Sequence, residues 1–283
     1  MSHHATVRND DYVIDQNWAA YTADEHAVWD FLYRRQVDIL RDRADPAMLR
    51  GLETLNLNRG GIPNFSEMNV ELKARTGFEV VAVPGLVPDE VFFNHLANRR
   101  FPAGQFIRTR AQLDYLQEPD IFHDVFGHVP LLTDPVFADY MEAYGKGGLR
   151  AIKFGRLKNL AALYWYTVEF GLIETPKGVR IYGAGISSSK DESIFALDDP
   201  SPNRLRFDLE RVMRTGYRID DFQQTYFVIR SYDELFRATV DTDFAPLYER
   251  LADGVGYQAD AVLPSDGVIT HGTQAYAKAK TGT

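Results

Sequence analysis

The first strong pattern along the chain is helical. Trp29, Tyr33, Val37 and Leu40 recur at three- to four-residue intervals. Ahead of them stands Thr22-Ala23-Asp24-Glu25, where a hydroxyl and a carboxylate are spaced to cap each other's backbone N–H groups. A short second helix is predicted after Pro46 and a third from Asn64, with Gly60, Gly61 and Pro63 breaking the chain between them. Residues 78–83 read as a strand ended by Pro84-Gly85. Pro88, followed by Asp89 and Glu90, suits the first turn of a helix carrying Val91, Phe92, Phe93 and Leu96. Residues 105–109 alternate as a strand would.

Asp134-Pro135 opens a further helix with Phe137, Tyr140, Met141 and Tyr144 on its inner face. Residues 157–172 form the most apolar helix, through Leu160, Leu163, Tyr164, Trp165, Val168 and Phe170. A strand is expected over 178–182, a tight backbone stretch at Gly183-Ala184-Gly185, and capping boxes at Ser189/Glu192 and Ser231/Glu234. Beyond Leu263 the chain is small and polar, a frayed tail or a short docked segment. No repeat, linker or compositional shift divides it. The expectation is a mainly α fold (α+β with a few short strands), a single domain over 17–263 with tails at 1–16 and 264–283.

Composition narrows the chemistry. Hydrophobic residues make up 45% and aromatic ones 13% of the 283, ample for a packed core. A net charge of −9 argues against nucleic acid and anionic membrane surfaces as partners. No apolar run approaches the roughly eighteen residues a bilayer span needs, and no leader pattern is evident, so a cytoplasmic protein is expected. With no cysteine there is no disulfide, thiolate site or Fe–S cluster, and any metal must be held by His, Asp or Glu.

Two of the seven histidines stand five residues apart in Glu118-Pro119-Asp120-Ile121-Phe122-His123-Asp124-Val125-Phe126-Gly127-His128-Val129-Pro130. The interleaved Ile121, Phe122, Val125, Phe126 and Val129 make the segment half buried. A buried imidazole must hydrogen-bond or bind a metal, since leaving it unpaired costs about 1–3 kcal/mol. A shared divalent metal answers for both rings; two separately satisfied histidines near a helix end are the alternative. On a regular helix residues five apart diverge, by about 140°. Gly127 and Pro130 read as a helix stop, placing His123 on the last turn and His128 just past it.

Such a site lacks a negative charge. Glu169, between Val168 and Phe170 on the greasiest helix, is the best donor, because a lone carboxylate there must pair with arginine, protonate or bind metal. Asp124 and Asp120 compete for that role; Asp120, one turn before His123, better suits an acceptor orienting the ring. Two histidines and one carboxylate suit non-heme Fe(II) oxygenases, with open coordination positions, but equally a zinc hydrolase. The surrounding aromatics favour a planar ligand.

The segment 118–130 resembles the iron motif of the pterin-dependent aromatic amino acid hydroxylases. Tyr164-Trp165-Tyr166-Thr167-Val168-Glu169-Phe170-Gly171-Leu172 resembles that family's third-ligand helix, and Tyr182-Gly183-Ala184-Gly185-Ile186-Ser187-Ser188-Ser189 its substrate-side loop. The similarity covers roughly 20–250 and is to the short bacterial members, which lack the regulatory and tetramerisation segments of the animal enzymes, so a monomer is expected.

The resemblance implies a catalytic domain holding Fe(II) through His123, His128 and Glu169, and a tetrahydropterin near Gly85, Leu86 and Val87 with its ring on Phe92. It implies Arg108 on the amino acid's carboxylate, with Trp165, Gly185 and Ser188 lining its pocket. Asp120 would support the ligands from behind, and Tyr164 and Asp124 would sit by the reacting groups. Asp124 departs from the Glu many relatives carry. The implied reaction is hydroxylation of L-phenylalanine to L-tyrosine with O2. Ile219 matches a position that is apolar in phenylalanine hydroxylases and acidic in tyrosine hydroxylases. Tryptophan or tyrosine as substrate, a metallohydrolase and a non-catalytic metal-stabilised binding protein are the competing readings.

Overall fold

A computed structural model describes residues 10–114, 118–253 and 256–282; His3 and His4 lie outside them. The chain opens with three helices, α1 (Ala23–Leu40), α2 (Pro46–Thr54) and α3 (Phe65–Thr76). There follow β1 (Glu79–Val83), α4 (Asp89–Ala97) and β2 (Arg100–Gly104). A π-helical turn, Phe122–His128, runs into a 3-10 turn, Val129–Thr133, and then α5 (Pro135–Phe154) and α6 (Leu157–Tyr164). A second π turn, Trp165–Glu169, precedes β3 (Leu172–Thr175), β4 (Gly178–Ile181), α7 (Ala184–Ser187) and α8 (Lys190–Asp198). The rest is β5 (Asn203–Arg206), α9 (Leu209–Met213), β6 (Thr225–Ile229), α10 (Tyr232–Val240), α11 (Phe244–Asp253), β7 (Val268–Thr270) and α12 (Ala275–Thr281). This is a mainly helical fold with a few short strands.

The strands form two sheets. β1 and β2 pair in parallel, and β4-β3-β6-β5-β7 make a mixed five-stranded sheet. The strand expected over 105–109 lies instead at Arg100–Gly104, where Val81 is register partner to Pro102. Pro102 disguised it, yet a residue without an N–H is tolerated because, among the described residues, β2 has only β1 as a strand neighbour. The most apolar helix stops at Tyr164, and Leu172 begins a strand rather than ending that helix.

α5 carries the core of the helical layer, with Phe137, Tyr140, Met141 and Tyr144 all buried. It can approach α4 because Gly145 and Gly148 face it: a Cβ there would stand 2.3 Å from the Ala97 nitrogen and 2.0 Å from the Phe93 ring. Packed this way, α4 turns Phe92 toward Tyr164, ring centres 5.8 Å apart. The Thr22–Glu25 capping box forms in full.

Both flanks are docked along part of their length. The Ile14 N–H donates to the Ala82 carbonyl at 2.9 Å, adding a bridge to β1, and Gln16 binds Pro63 and Phe65, so the expected tail over 1–16 is packed from at least Ile14. At the other end β7 pairs antiparallel with β5, describing the docked rather than the frayed reading of the residues beyond Leu263. Among the described residues no helix is long and apolar enough to cross a membrane.

Candidate metal centre

His123 and His128 share the first π turn. Their rings converge without the helix stop expected at Gly127: i→i+5 winding sets residues five apart one above the other, which α winding does not. Gly127 has a different task. A Cβ there would come within 3.0 Å of both the Cβ and the carbonyl oxygen of Ala184, so its hydrogen lets α7 press against the turn. On the opposite side Phe122 and Phe126 stack at 4.8 Å and lock into Trp29 and Tyr33 of α1.

The three donor atoms form a compact triangle. Nε2 of His123 and Nε2 of His128 are 3.3 Å apart; Glu169 sets Oε1 3.2 Å from the latter and Oε2 3.6 Å from the former. Bonds of about 2.0–2.2 Å to one divalent ion at right angles would separate such donors by about 3 Å. Donor type and spacing therefore fit a divalent cation. Among the described residues Glu169 has no arginine partner: the chargeable groups beside it are the two imidazoles. Asp120 and Asp124 stand outside the triangle.

Electrostatics agree with the geometry. Burial pushes the Glu169 carboxyl up, but the imidazoles and the Gly185 N–H more than reverse it, keeping it ionised. Burial pulls His123 down to about 4 against the attraction of Glu169, so its imidazole is neutral near pH 7. Ser188 Oγ lies 2.8 Å from His123 Nδ1; with the ring proton on Nδ1 and donated to that oxygen, the Nε2 lone pair faces the triangle. The His128 ring lies against Phe101 at 4.9 Å and under Tyr164 at 6.2 Å.

Asp120 lies one turn before His123 but does not touch the ring. It accepts the His123 backbone N–H at 3.0 Å, and its two oxygens accept Nε and Nη2 of Arg108 at 2.9 and 2.8 Å. Burial alone would raise this carboxyl; the guanidinium overrides it and holds it below the ordinary range. The fork of Arg108 is thus engaged within the protein, leaving Nη1 with one long contact, 3.4 Å, to the Leu113 carbonyl.

A cavity of about 230 Å³ opens onto the triangle. Gly85, Leu86, Val87 and Phe92 line it together with Asp124, Tyr164 and the three donors. Asp124 Oδ2 accepts the Gly104 N–H at 2.7 Å, yet burial still lifts its carboxyl to about 7. Arg108, Trp165, Gly185 and Ser188 lie outside the cavity wall. Gly185 backs directly onto Glu169, since a Cβ there would come within 3.1 Å of Oε2. Trp165 is sandwiched between Tyr217 and Phe170, at 4.6 and 4.7 Å. Ile219, expected as an apolar wall, is 77% exposed. Residue-by-residue reading missed Phe101 and Gly104, on the unpredicted strand, and Gln223, whose Oε1 accepts the Trp165 indole N–H at 2.9 Å.

Fold and site together define a two-histidine, one-carboxylate metalloenzyme architecture. Residues 12–252 match the biopterin-dependent aromatic amino acid hydroxylases, and the chain belongs to that family. It is 67% identical over 269 residues to a phenylalanine-4-hydroxylase of Caulobacter vibrioides, covering 95% of this chain and 91% of that one. A phenylalanine-4-hydroxylase of Ralstonia nicotianae is 59% identical, over 93% of this chain and 84% of its own length. The iron- and phenylalanine-bound crystal structure of the Chromobacterium violaceum phenylalanine hydroxylase superposes with a TM-score of 0.88 at 55% identity, covering 93% of this chain and 95% of that one.

Proposed function

We propose that this chain is a phenylalanine 4-monooxygenase, converting L-phenylalanine to L-tyrosine with O2, Fe(II) and a tetrahydropterin. The observation that carries the reading is the His123–His128–Glu169 triangle opening onto a cavity lined by Phe92. The identity to proteins named for this activity supports phenylalanine over tryptophan or tyrosine. Family membership leaves the metallohydrolase and binding-protein readings without support.

In this reading His123, His128 and Glu169 hold the iron and leave coordination positions open. Iron and reduced pterin, when bound, supply the activation of O2. Gly85, Leu86 and Val87 offer backbone to the pterin, and Phe92 a ring face for a flat bicycle, a contact worth about 0.5–1.5 kcal/mol beyond area. Asp124, whose carboxyl burial pushes up, can donate or accept in the same cavity.

Arg108, fixed by Asp120, presents Nη1 to the amino acid's carboxylate. Trp165, Gly185 and Ser188 shape the ring pocket, and Tyr164 closes the metal side. The protein's share is alignment and exclusion of water: a ring carbon held near the reacting oxygen gains rate from orientation alone. A catalytic unit over 17–263 with docked flanks, acting as a cytoplasmic monomer, completes the proposal.

The test is anaerobic loading with Fe(II), then O2, tetrahydropterin and phenylalanine or tryptophan in parallel. Tyrosine formed only with all three components is expected. Turnover without oxygen, or tryptophan consumed faster than phenylalanine, overturns the reading.

A further inference from the structure

We infer that the C-terminal segment from Gly272 onward is a clasp that positions the substrate side of the centre, with Tyr276 and Lys280 as positioning residues acting through Asp221. This rests on the proposed function. The segment lies beyond the residues that match the family, 12–252.

Its backbone is sewn onto the loop before β5. Thr273 and Gln274 donate to the carbonyls of Pro200 and Ser201 at 3.0 and 2.9 Å, and the Gly272 N–H to Asn203 Oδ1 at 2.9 Å. A side chain at Gly272 would meet the Ser201 carbonyl at 2.2 Å, so the approach requires glycine.

From that seat the segment reaches the loop before β6. Tyr276 Oη and Lys280 Nζ both donate to Asp221 Oδ1, at 2.9 and 2.8 Å. The Tyr276 ring closes a triangle with Phe222 and Phe195, at 5.1 and 5.3 Å. Gln274 Nε2 donates a hydrogen bond to the Gln224 carbonyl at 3.1 Å.

The same loop faces inward at Tyr217 and Gln223. Gln223 accepts the Trp165 indole N–H, and Tyr217 stacks on the other side of that indole. Trp165 in turn lies on Phe170, next to Glu169. Asp221 and Phe222 are gripped from outside while their neighbour Gln223 grips Trp165. The relay bears directly on Trp165 and reaches Phe92 only at one remove, through the ring of Tyr164, the chain neighbour of Trp165. Loosening the clasp should therefore weaken the amino acid more than the pterin.

The experiment uses the full chain loaded with Fe(II), comparing wild type with the Tyr276→Phe/Lys280→Met double variant. Losing two hydrogen bonds to one carboxylate should speed hydrogen exchange over 216–224 by about tenfold, with the 122–128 turn unaffected. The anaerobic equilibrium Kd for phenylalanine and its KM should each rise about threefold to tenfold while the pterin KM stays within about twofold. Lys280→Arg, keeping the charge, should retain most of the affinity in an otherwise wild-type chain. Unchanged exchange over 216–224 overturns the clasp, as does a phenylalanine Kd that does not move when exchange does, or a pterin KM rising in parallel. If wild type neither binds phenylalanine nor makes tyrosine, the functional reading fails, and the exchange comparison still decides whether the clasp holds the loop.

Discussion

Nε2 of His123 and Nε2 of His128 lie 3.3 Å apart because the chain between them winds as a π turn. Glu169 ends a second turn of the same kind. All three donors therefore sit on helix that has departed from α geometry, a departure that recurs at functional sites. The predictions below separate what these donors do from what merely holds them.

Glu169→Gln keeps size and shape but removes the only formal negative charge of the triangle. Fe(II) affinity should fall at least about 100-fold, beyond the 10–100-fold typical of outer hydrogen-bond partners. Far-UV circular dichroism should be unchanged. Anaerobic calorimetric titration checks it; wild-type affinity would remove Glu169 from the ligand set.

Ser188→Ala strips the partner from His123 Nδ1 without touching the donor atom itself. A ring free to rotate or change tautomer should bind metal about 10–100-fold more weakly. The same titration reads this, and the effect should be smaller than that of Glu169→Gln.

Arg108→Ala has two consequences. Asp120 is fully buried, and its counter-charge is this guanidinium. Removing one partner of a buried pair costs about 3–5 kcal/mol of stability, in addition to any rise in phenylalanine KM. Urea unfolding of the metal-free protein measures the first effect; unaltered stability would mean that Asp120 finds another partner.

Glu192 supplies the pH dependence. Burial lifts its carboxyl from 4.5 to about 7, against hydrogen bonds from Tyr226 and the Gln223 N–H. A raised folded-state value means the stabilisation is whole below the unfolded value of 4.5 and is lost as pH rises through about 7. Glu192→Gln cannot ionise. The stability gap between wild type and variant should thus shift in the variant's favour by roughly 1.4 kcal/mol per unit of pKa displacement between pH 4.5 and 8. Denaturation curves that stay parallel across that range would contradict it.

Two glycines on α5 should respond oppositely to the same change. Gly147 has nothing within 4 Å of its added Cβ, so Gly147→Ala should stabilise by about 0.5–1 kcal/mol through helix propensity. At Gly145 an added Cβ would stand 2.3 Å from α4 backbone, and there Gly145→Ala should cost at least about 2 kcal/mol, overpacking outweighing propensity. Thermal denaturation of the pair distinguishes them.

Much of the candidate site could be read from residues alone, since two imidazoles and a carboxylate amid apolar neighbours have few other uses. Their winding could not. A π turn has no residue signature of its own, and Gly127 looked like a helix end because close packing against Ala184 makes the same demand on the residue. Helix starts were legible where a side chain closes its own cap, as at Thr22. Strands were less so: β5 and β6 are short and central, with little polar alternation to mark them. The Arg108–Asp120 pair was hidden because a fork that suits a ligand's carboxylate suits an aspartate's equally.

The winding at 122–128 and 165–169 also bears on how this chain tolerates change in length. A π turn holds one residue more than an α turn would, so removing any one residue from it permits relaxation to the commoner geometry. A deletion between the two histidines would leave them four apart on an α turn, within about 40° of one line, so the pair itself can outlive the loss of a residue. What the extra residue sets is not whether the rings share a face but the wider radius at which they do.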